Sequence, residues 1–256
     1  MALDAVVLAG GADRGEIAEH TGVIYRPLLE VGGRPIIQRV LAALRGATSV
    51  GQVVLVAPDP VQEAVWEEAV DIRVPAGDSF VANVVNGVAA TTPDGDSVLV
   101  ITGDLPLLTP AAVNDLAAQA AALQADVVYP IIPRESSERA FPGGKRTYVK
   151  LREGVFTGGN GMVLSCDFVR RRRDLINRLY EARKKPLKLA GMFGLPFIFG
   201  LLTGRLTISQ LESRAGHLIG GLVAAVITPY PELGFDVDKV ADLNLARQVA
   251  ETMDKV

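Results

Sequence analysis

An acidic residue stands where a strand of buried type ends. The apolar run Ser97–Thr102 is followed by Gly103-Asp104-Leu105-Pro106. The carboxyl ends of parallel strands form the edge at which α/β proteins bind their ligands, so we expect Asp104 to project into a ligand site. A carboxylate is also a ligand that Mg²⁺ prefers. Asp104 is therefore the first candidate for a metal-dependent site.

A pair of glycines follows the first strand-like run of the chain, residues 5–9. Without Cβ atoms, Gly10 and Gly11 would let backbone amides approach a phosphate group. A tight turn that needs positive φ is the alternative explanation. The spacing matches neither G-x-G-x-x-G nor G-x-x-x-x-G-K-[ST], which argues against a dehydrogenase and against a P-loop NTPase. Together with Asp104, the glycines predict nucleotide chemistry at one sheet edge.

The composition indicates a small-molecule partner. The chain has 256 residues with 26 basic and 29 acidic side chains, a net charge of −3, so it carries no overall positive field for nucleic acid or an anionic membrane. Its single cysteine, Cys166, excludes an internal disulfide and a cysteine-based zinc cluster. His20 and His217 are too far apart to form a helical metal motif. We expect a cytoplasmic protein.

The elements that must position these residues alternate along the chain. Runs rich in Val and Ile are separated by amphipathic stretches, which predicts a mostly parallel, Rossmann-like sheet in a three-layer α/β/α sandwich. Asp59-Pro60 and Thr109-Pro110 are typical helix starts, and Pro35 begins another helix through Arg45. The predicted strands cover residues 52–57, 72–74, 97–102, 125–130, 161–165 and 224–228.

We expect one domain over residues 1–256, with an inserted hairpin near 131–160 and a helical lid near 167–216. The lid contains a cationic helix over residues 167–185, whose four consecutive arginines, 170–173, are either a solvated face or an anion site. It also contains an apolar stretch over residues 192–202 that falls short of the roughly 18 residues a membrane span needs. This stretch would be buried in the core or in a homodimer interface.

Several motifs resemble one family in their order along the chain. These are Val7-Leu8-Ala9-Gly10-Gly11, then Arg26-Pro27-Leu28-Leu29-Glu30-Val31-Gly32-Gly33-Arg34-Pro35, then Thr102-Gly103-Asp104-Leu105-Pro106, and finally Asp236-Val237-Asp238-Lys239-Val240-Ala241-Asp242-Leu243. The pattern is similar to nucleotidyltransferases of the glycosyltransferase-A type, the nucleotide-diphospho-sugar transferase fold. Within this fold, the motifs resemble those of molybdenum-cofactor guanylyltransferases and sugar-phosphate nucleotidyltransferases. The resemblance implies transfer of a nucleoside monophosphate from an NTP to a phosphorylated acceptor, with Mg²⁺ as cofactor and release of pyrophosphate.

The resemblance also assigns roles to residues. The nucleotide would be bound by Leu8, Ala9, Gly10, Gly11, Gly77, Asn83 and Asp104; catalysis would rest on Arg14, Arg26 and Asp104; Gly159 and Asn160 would face the acceptor; and Asp104 and Asp238 would hold the metal, with Asp236 in reserve. The chain departs from the family where Gly15 stands at the usual arginine position, with Arg14 one residue earlier. It departs again where Arg26 replaces the usual lysine.

Alternatives remain open at three positions and for the function itself. Asp238 precedes a helix and would serve as its N-cap, Asn83 would be a plain residue of a helix capped by Ser79, and residues 158–161 would form a hairpin turn. A metal-dependent glycosyltransferase that uses a nucleotide sugar would need similar carboxylates. A non-catalytic nucleotide-binding protein is the third option, because the arginine and lysine positions are altered.

Overall fold

The computed structural model describes residues 2–92, 95–182 and 194–253. Its strands are β1 (Leu3–Leu8), β2 (Glu30–Val31), β3 (Arg34–Pro35), β4 (Val50–Ala57), β5 (Ile72–Pro75), β6 (Ser97–Thr102), β7 (Val127–Pro133), β8 (Val149–Leu151), β9 (Gly154–Gly158), β10 (Gly161–Ser165) and β11 (Val223–Ile227). Its helices are α1 (Glu16–Thr21), α2 (Ile36–Gly46), α3 (Asp59–Glu63), α4 (Phe80–Ala89), α5 (Pro110–Leu123), α6 (Arg134–Ala140), α7 (Cys166–Ala182), α8 (Leu195–Leu202), α9 (Ile208–Ile219) and α10 (Val240–Met253).

One mixed sheet of nine strands organises the described chain. Strands β5, β4, β1 and β6 are parallel neighbours in that order, and β11 runs parallel to β7. Strand β10 joins the two halves because it pairs antiparallel with both β6 and β7. Strands β2 and β3 form a separate small hairpin whose turn residues, Gly32 and Gly33, both have positive φ. Such a turn favours glycine at both central positions.

Both faces of the sheet are buried. Along β4, Val53 and Leu55 belong to one core cluster, whereas Val54 and Val56 belong to the other. Successive strand residues point to opposite faces, so an unbroken apolar run needs cover on both sides. Helices α2, α5 and α10 contribute to the first cluster, and α4 and α7 contribute to the second. The predicted three-layer sandwich is confirmed.

Local signals placed most helix starts correctly. Thr109 accepts a hydrogen bond from the backbone N–H of Ala112, and Ser79 does the same for Ala82. The prediction that Asp59 caps α3 is wrong, because Pro58 occupies the N-cap and Asp59 is already helical. Thr207 caps α9 in a reciprocal capping box with Gln210.

The segment after Pro130 differs from its prediction. Strand β7 continues to Pro133, and the polar stretch that follows begins with helix α6. A hairpin does exist, but it consists of β8 and β9, in which Val149 pairs with Phe156. The predicted strand ended at Pro130 because proline cannot donate a hydrogen bond within a sheet and is uncommon inside a strand. The structure continues the strand through Ile131 and Ile132 to Pro133.

Residues 158–161 do not form a hairpin turn. Strands β9 and β10 both run antiparallel to β7, with Thr157 opposite Ile132 and Val163 opposite Val128. They lie along the same edge of β7, because β11 occupies the other edge. The two strands are therefore one irregular strand, and the intervening Gly159-Asn160 is a bulge in it.

In the described residues, the segment predicted as a lid contains α7, α8 and α9, and its role as a lid stays a prediction. The predicted cationic helix is confirmed from Cys166 to Ala182, with a non-helical residue at Arg172, and its predicted end at 183–185 lies outside the described residues. The first two residues of the predicted apolar stretch, 192–193, also lie outside the described residues. Among the described helices, none has the length and apolar character needed to cross a bilayer.

Helix α8 packs on the β8–β9 hairpin through a small third core. Leu151, Phe156 and Leu206 form its buried centre, with Phe197 and Leu201 packed against it. The outer side of the same helix exposes Phe199 to 61% and Leu202 to 81%. The apolar run is therefore divided between a core face and an exposed face.

Candidate functional site

A cleft of about 540 Å³ lies at the carboxyl ends of β1 and β6. It collects eight of the predicted site residues, which are Leu8, Ala9, Gly10, Gly11, Arg26, Gly77, Asn83 and Asp104. The lining consists of Leu8, Ala9, Gly10, Gly11, Ala12, Asp13, Arg26, Pro27, Gly77, Asp78, Ser79, Phe80, Asn83, Thr102 and Asp104. A second, more open groove of about 630 Å³ lies between α8 and α9 and shares no lining residue with the cleft. We place the candidate site in the cleft because the sheet-edge residues converge there.

The two glycines have different surroundings: Gly10 is closely packed, whereas Gly11 borders open space. A Cβ on Gly10 would lie 2.7 Å from Nδ2 of Asn83, whereas a Cβ on Gly11 would meet nothing within 4 Å. Neither residue is among the described positions with positive φ, so the tight-turn explanation is wrong. The absent side chain at Gly10 lets the β1 loop approach helix α4.

Asn83 connects the cleft wall to helix α4. Its side chain is buried, and Oδ1 accepts a hydrogen bond of 2.6 Å from the backbone N–H of Gly77. This bond fixes the 76–79 loop against the start of α4, where Ser79 is the N-cap. Asn83 belongs to the helix and also lines the cleft, and its nucleotide-binding role stays a prediction.

Asp104 lies at the floor of the cleft with one carboxylate oxygen unpaired. Among the described residues, Oδ1 of Asp104 and Oγ1 of the neighbouring Thr102 are buried and have no hydrogen-bond partner. Burial raises the pKa of Asp104 to about 6, and the negative charge of Asp236 adds to the rise. A buried carboxylate is costly unless it is paired, so this position suits a cationic ligand.

The element after β11 lies beside Asp104. The backbone N–H of Val237 donates a 3.3 Å hydrogen bond to the carbonyl oxygen of Asp104, which brings the segment 236–238 to the end of β6. Asp236 accepts a 2.6 Å hydrogen bond from Arg146, whose guanidinium also lies 4.8 Å from the centroid of the Phe235 ring. Asp236, the predicted reserve metal ligand, is thus already paired.

Asp238 is paired with Arg26. Nη1 of Arg26 lies 2.5 Å from Oδ1 of Asp238, whose side chain is 54% exposed. The N-cap interpretation of Asp238 is wrong. Instead, Oδ2 of Asp242 accepts hydrogen bonds from the backbone N–H groups of Asp238 and Lys239 at the start of α10.

Arg26 is held by a second carboxylate that the sequence reading missed. Nε of Arg26 lies 2.8 Å from Oδ2 of Asp13. Burial alone would lower the pKa of Arg26, but Asp13 and then Asp238 raise it above its ordinary value. The only signal for Asp13 in the sequence was its place two residues after the glycine pair.

Four predicted site residues lie outside the cleft lining: Asp238, described above, and Arg14, Gly159 and Asn160. Arg14 is exposed in the loop before α1. The backbone N–H groups of Gly159 and Asn160 donate to the carbonyls of Pro130 and Leu233, and the carbonyl of Asn160 accepts from Thr102. The bulge therefore adjoins Thr102, but its backbone amides are already paired. The acceptor-binding role of Gly159 and Asn160 stays a prediction.

In the described chain, no group of three or more His, Cys, Asp or Glu side chains is arranged to hold a metal ion. Two carboxylates are sufficient for Mg²⁺ when phosphate oxygens and waters complete its coordination. Asp104, with its unpaired buried oxygen, and the exposed Asp238 fit that requirement, whereas Asp236 faces an arginine.

The fold and cleft define a class of protein, an α/β enzyme with a nucleotide-type site at the carboxyl edge of its sheet. Residues 5–153, more than half of the chain, match the family described as the MobA-like NTP transferase domain. The chain belongs to this family of nucleotidyltransferases, which confirms the predicted class and fold. A comparison with curated protein sequences gives no match.

Solved structures agree with this assignment. A hypothetical transferase from Thermus thermophilus is 38% identical with a TM-score of 0.85, and the match covers 95% of this chain and 100% of that one. A nucleotidyl transferase from Methanothermobacter thermautotrophicus is 20% identical with a TM-score of 0.61, covering 98% and 99%. A CMP-2-keto-3-deoxy-manno-octonic acid synthetase in complex with CTP is 15% identical with a TM-score of 0.64, covering 99% of each chain.

Proposed function

We propose that the chain transfers a nucleoside monophosphate from an NTP to a small phosphorylated acceptor, such as a sugar phosphate or a molybdopterin-like cofactor, and releases pyrophosphate. The observation that carries the proposal is the buried, unpaired carboxylate oxygen Oδ1 of Asp104 in the same cleft as Arg26. A site for a metal–triphosphate complex needs a negative group that binds the metal and a positive group that binds phosphate.

The reaction is an in-line displacement at the α-phosphorus. An oxygen of the acceptor phosphate forms the new P–O bond while the bond to the bridging oxygen of the β-phosphate breaks, and the electron pair leaves with pyrophosphate. No covalent enzyme intermediate is involved. The contribution of the protein is positioning and charge neutralisation, as in other phosphoryl transfers.

The residues divide this work between them. Arg26 binds the triphosphate, and the open space beside Gly11 leaves room for phosphate oxygens against the β1 loop. Leu8, Ala9, Gly10, Gly77 and Asn83 form the wall for the nucleoside. Arg14 stays a proposal as a second phosphate ligand that would reach in from the exposed loop. Gly159 and Asn160 remain the proposed acceptor side, with Asn160 as the contacting side chain.

Asp104 and Asp238 would hold Mg²⁺. When bound, this ion neutralises triphosphate charge and so lowers the barrier to attack by an anionic acceptor. Asp104 offers a fixed, buried oxygen, whereas Asp238 would have to leave Arg26. The same exchange would free Nη1 of Arg26 for a phosphate oxygen.

Release of pyrophosphate tests the proposal directly. The purified protein is incubated with each of the four common NTPs and a panel of sugar phosphates and pterin phosphates, with Mg²⁺ or with EDTA. We expect pyrophosphate and a nucleotidylated product for one pair of substrates, only with Mg²⁺, and loss of the product in Asp104→Asn. Asp71→Asn, which changes a carboxylate on β5's flank that is paired with Arg45, is the matched control.

Other results of the same assay would overturn the proposal. Release of a nucleoside diphosphate from a nucleotide sugar would indicate a glycosyltransferase. Tight NTP binding without turnover of any acceptor would indicate a non-catalytic nucleotide-binding protein.

A further inference from the structure

The guanidinium of Arg26 is shared by two carboxylates of very different character. Asp13 contacts Nε, and its side chain is only 12% exposed. Asp238 contacts Nη1 and is 54% exposed. The first carboxylate comes from a loop next to Arg26 in the fold, and the second comes from a position 212 residues away. The two ion pairs therefore differ in how easily they can be exchanged.

Asp13 is itself fixed by the backbone around it. Its Oδ1 accepts a 2.7 Å hydrogen bond from the N–H of Gly15, and its own N–H donates to the carbonyl of Ile24 at 2.6 Å. Ala12 and Tyr25 also form an isolated antiparallel bridge. The loop that follows the glycines and the segment that precedes Arg26 are thus joined in register, and Asp13 lies at the joint. Both Asp13 and Arg26 line the cleft.

The contact with Asp13 uses Nε of Arg26 and leaves the two terminal nitrogens to other partners, of which Asp238 at Nη1 is one. Nε is the nitrogen nearest the side-chain stem, so a bond there fixes the plane of the guanidinium without using its terminal nitrogens. Fixing that plane also removes rotamer freedom before the ligand arrives, which lowers the entropic cost of binding.

We propose that Asp13 is a positioning residue, which holds Arg26 through Nε so that its terminal nitrogens face the triphosphate. This inference rests on the proposed function for the identity of the ligand. Asp238 occupies the terminal nitrogen Nη1 in the unliganded protein and gives way to phosphate, whereas Asp13 remains in place.

The direction in which Asp13→Ala changes triphosphate affinity distinguishes a positioning role of Asp13 from a purely electrostatic one. Asp13 is negative and lies in a cleft that binds a polyanion, so removing its charge should strengthen triphosphate binding by Coulomb attraction alone. If Asp13 positions Arg26, the variant Asp13→Ala instead weakens triphosphate binding about tenfold, the size expected for loss of one charge-assisted hydrogen bond. Affinity for the corresponding nucleoside, which carries no phosphate, should stay unchanged.

The experiment is a double-mutant cycle measured by calorimetry with NTP and Mg²⁺ on the full chain. Asp13→Ala should weaken binding in the parent protein but not in an Arg26→Ala background, because the effect acts through Arg26. Asp78→Ala removes an exposed carboxylate from the same cleft and reports the pure charge effect, which should be a slight gain in affinity. Asp71→Ala removes a carboxylate that pairs with Arg45 and accepts from the N–H of Val53, and it controls for stability.

Unchanged or tighter binding by Asp13→Ala overturns the proposal, as does an equal loss in the Arg26→Ala background. A second measurement needs no nucleotide. The Nε–Hε resonance of Arg26, assigned by its absence from Arg26→Lys, should be slow to exchange in the parent protein and in Asp238→Asn, and fast in Asp13→Ala. Equal exchange in Asp13→Ala overturns the positioning role. If no NTP binds any variant, the proposed function fails, and this resonance still decides whether Asp13 holds Arg26.

Discussion

At the scale of single residues, the protonation of Asp104 links the cleft to stability. Burial raises its pKa to about 6 in the folded protein, from an ordinary value of 3.8. The folded state therefore binds a proton more tightly than the unfolded state between pH 4 and 6. The stabilising contribution of the protonated form is fully present below about pH 4 and is lost as the pH rises through about 6.

Replacing Asp104 with Asn should therefore stabilise the unliganded protein at neutral pH. A shift of about two pKa units corresponds to about 2 to 3 kcal/mol at pH 7.5, and the gain should vanish at pH 4. Chemical denaturation at the two pH values measures it, with Asp71→Asn, a change of a carboxylate outside the cleft, measured alongside for comparison. A loss of stability at pH 7.5 would contradict the raised pKa of Asp104 in the folded protein.

Arg26 gives a second prediction at this scale. Arg26→Ala should weaken NTP binding by about 10- to 100-fold, since hydrogen bonds to charged groups contribute about 1.5 to 3 kcal/mol each. Affinity for the nucleoside should change little. Calorimetry with both ligands measures the difference, with Arg45→Ala as the control for loss of a paired arginine outside the cleft. Equal losses for the two ligands would place Arg26 away from the phosphates.

At the scale of elements, helix α4 lies unusually close to the sheet beneath the cleft. A Cβ added to Gly87 would be 2.3 Å from Cγ1 of Val6 and 3.0 Å from Cγ2 of Val56. This approach places the start of the helix, with Asn83, against the β1 loop. The wall of the cleft therefore depends on Gly87, which lies one turn beyond Asn83 in the same helix.

Gly87→Ala should destabilise the protein by about 1 to 3 kcal/mol, because overpacking against two valines outweighs the gain in helix propensity of about 1 kcal/mol. Asn86→Ala, on the exposed side of the same helix, is the control and should be neutral or slightly stabilising. Thermal unfolding of both variants measures the effect. A more stable Gly87→Ala variant would show that the helix can move away from the sheet at no cost.

At the scale of the whole molecule, helix α8 has one face that packs on the β8–β9 hairpin and one face that is exposed. Its inner residue Phe197 packs on the third core, and its outer residue Leu202 is 81% exposed. The sequence left open whether this apolar stretch lies in the core or in a homodimer interface, and the structure gives a separate answer for each face of the helix. The inner face belongs to the core, and a homodimer remains a prediction for the outer face.

Two charge substitutions on this helix should behave differently. Phe197→Asp should destabilise the fold by about 1 to 3 kcal/mol, because it places a charge against apolar side chains. Leu202→Asp should leave stability within about 0.5 kcal/mol, as expected at an exposed position. Light scattering of Leu202→Asp then reports on assembly, since a dimeric parent and a monomeric variant would place the contact on this face. Equal stability of the two variants would contradict the packing of Phe197.

The sequence by itself determined the features that depend on neighbouring residues. These features arise from hydrogen bonds or side-chain directions within a few positions. They are the alternation of side chains along β4, the helix caps at Ser79 and Thr109, and the position of Asp104 just after a strand. The order of the motifs was also sufficient to predict the family, because each motif is local.

Only the tertiary structure decided which charged groups meet. Arg26 pairs with Asp238 across 212 positions and Arg146 pairs with Asp236 across 90, and no periodicity in the sequence encodes such partners. The continuity of β9 and β10 along β7 and the pKa of Asp104 have the same origin. Strand pairing and burial depend on what the rest of the chain places beside a residue, so a carboxylate identified by its motif acquires its chemistry only in the folded protein.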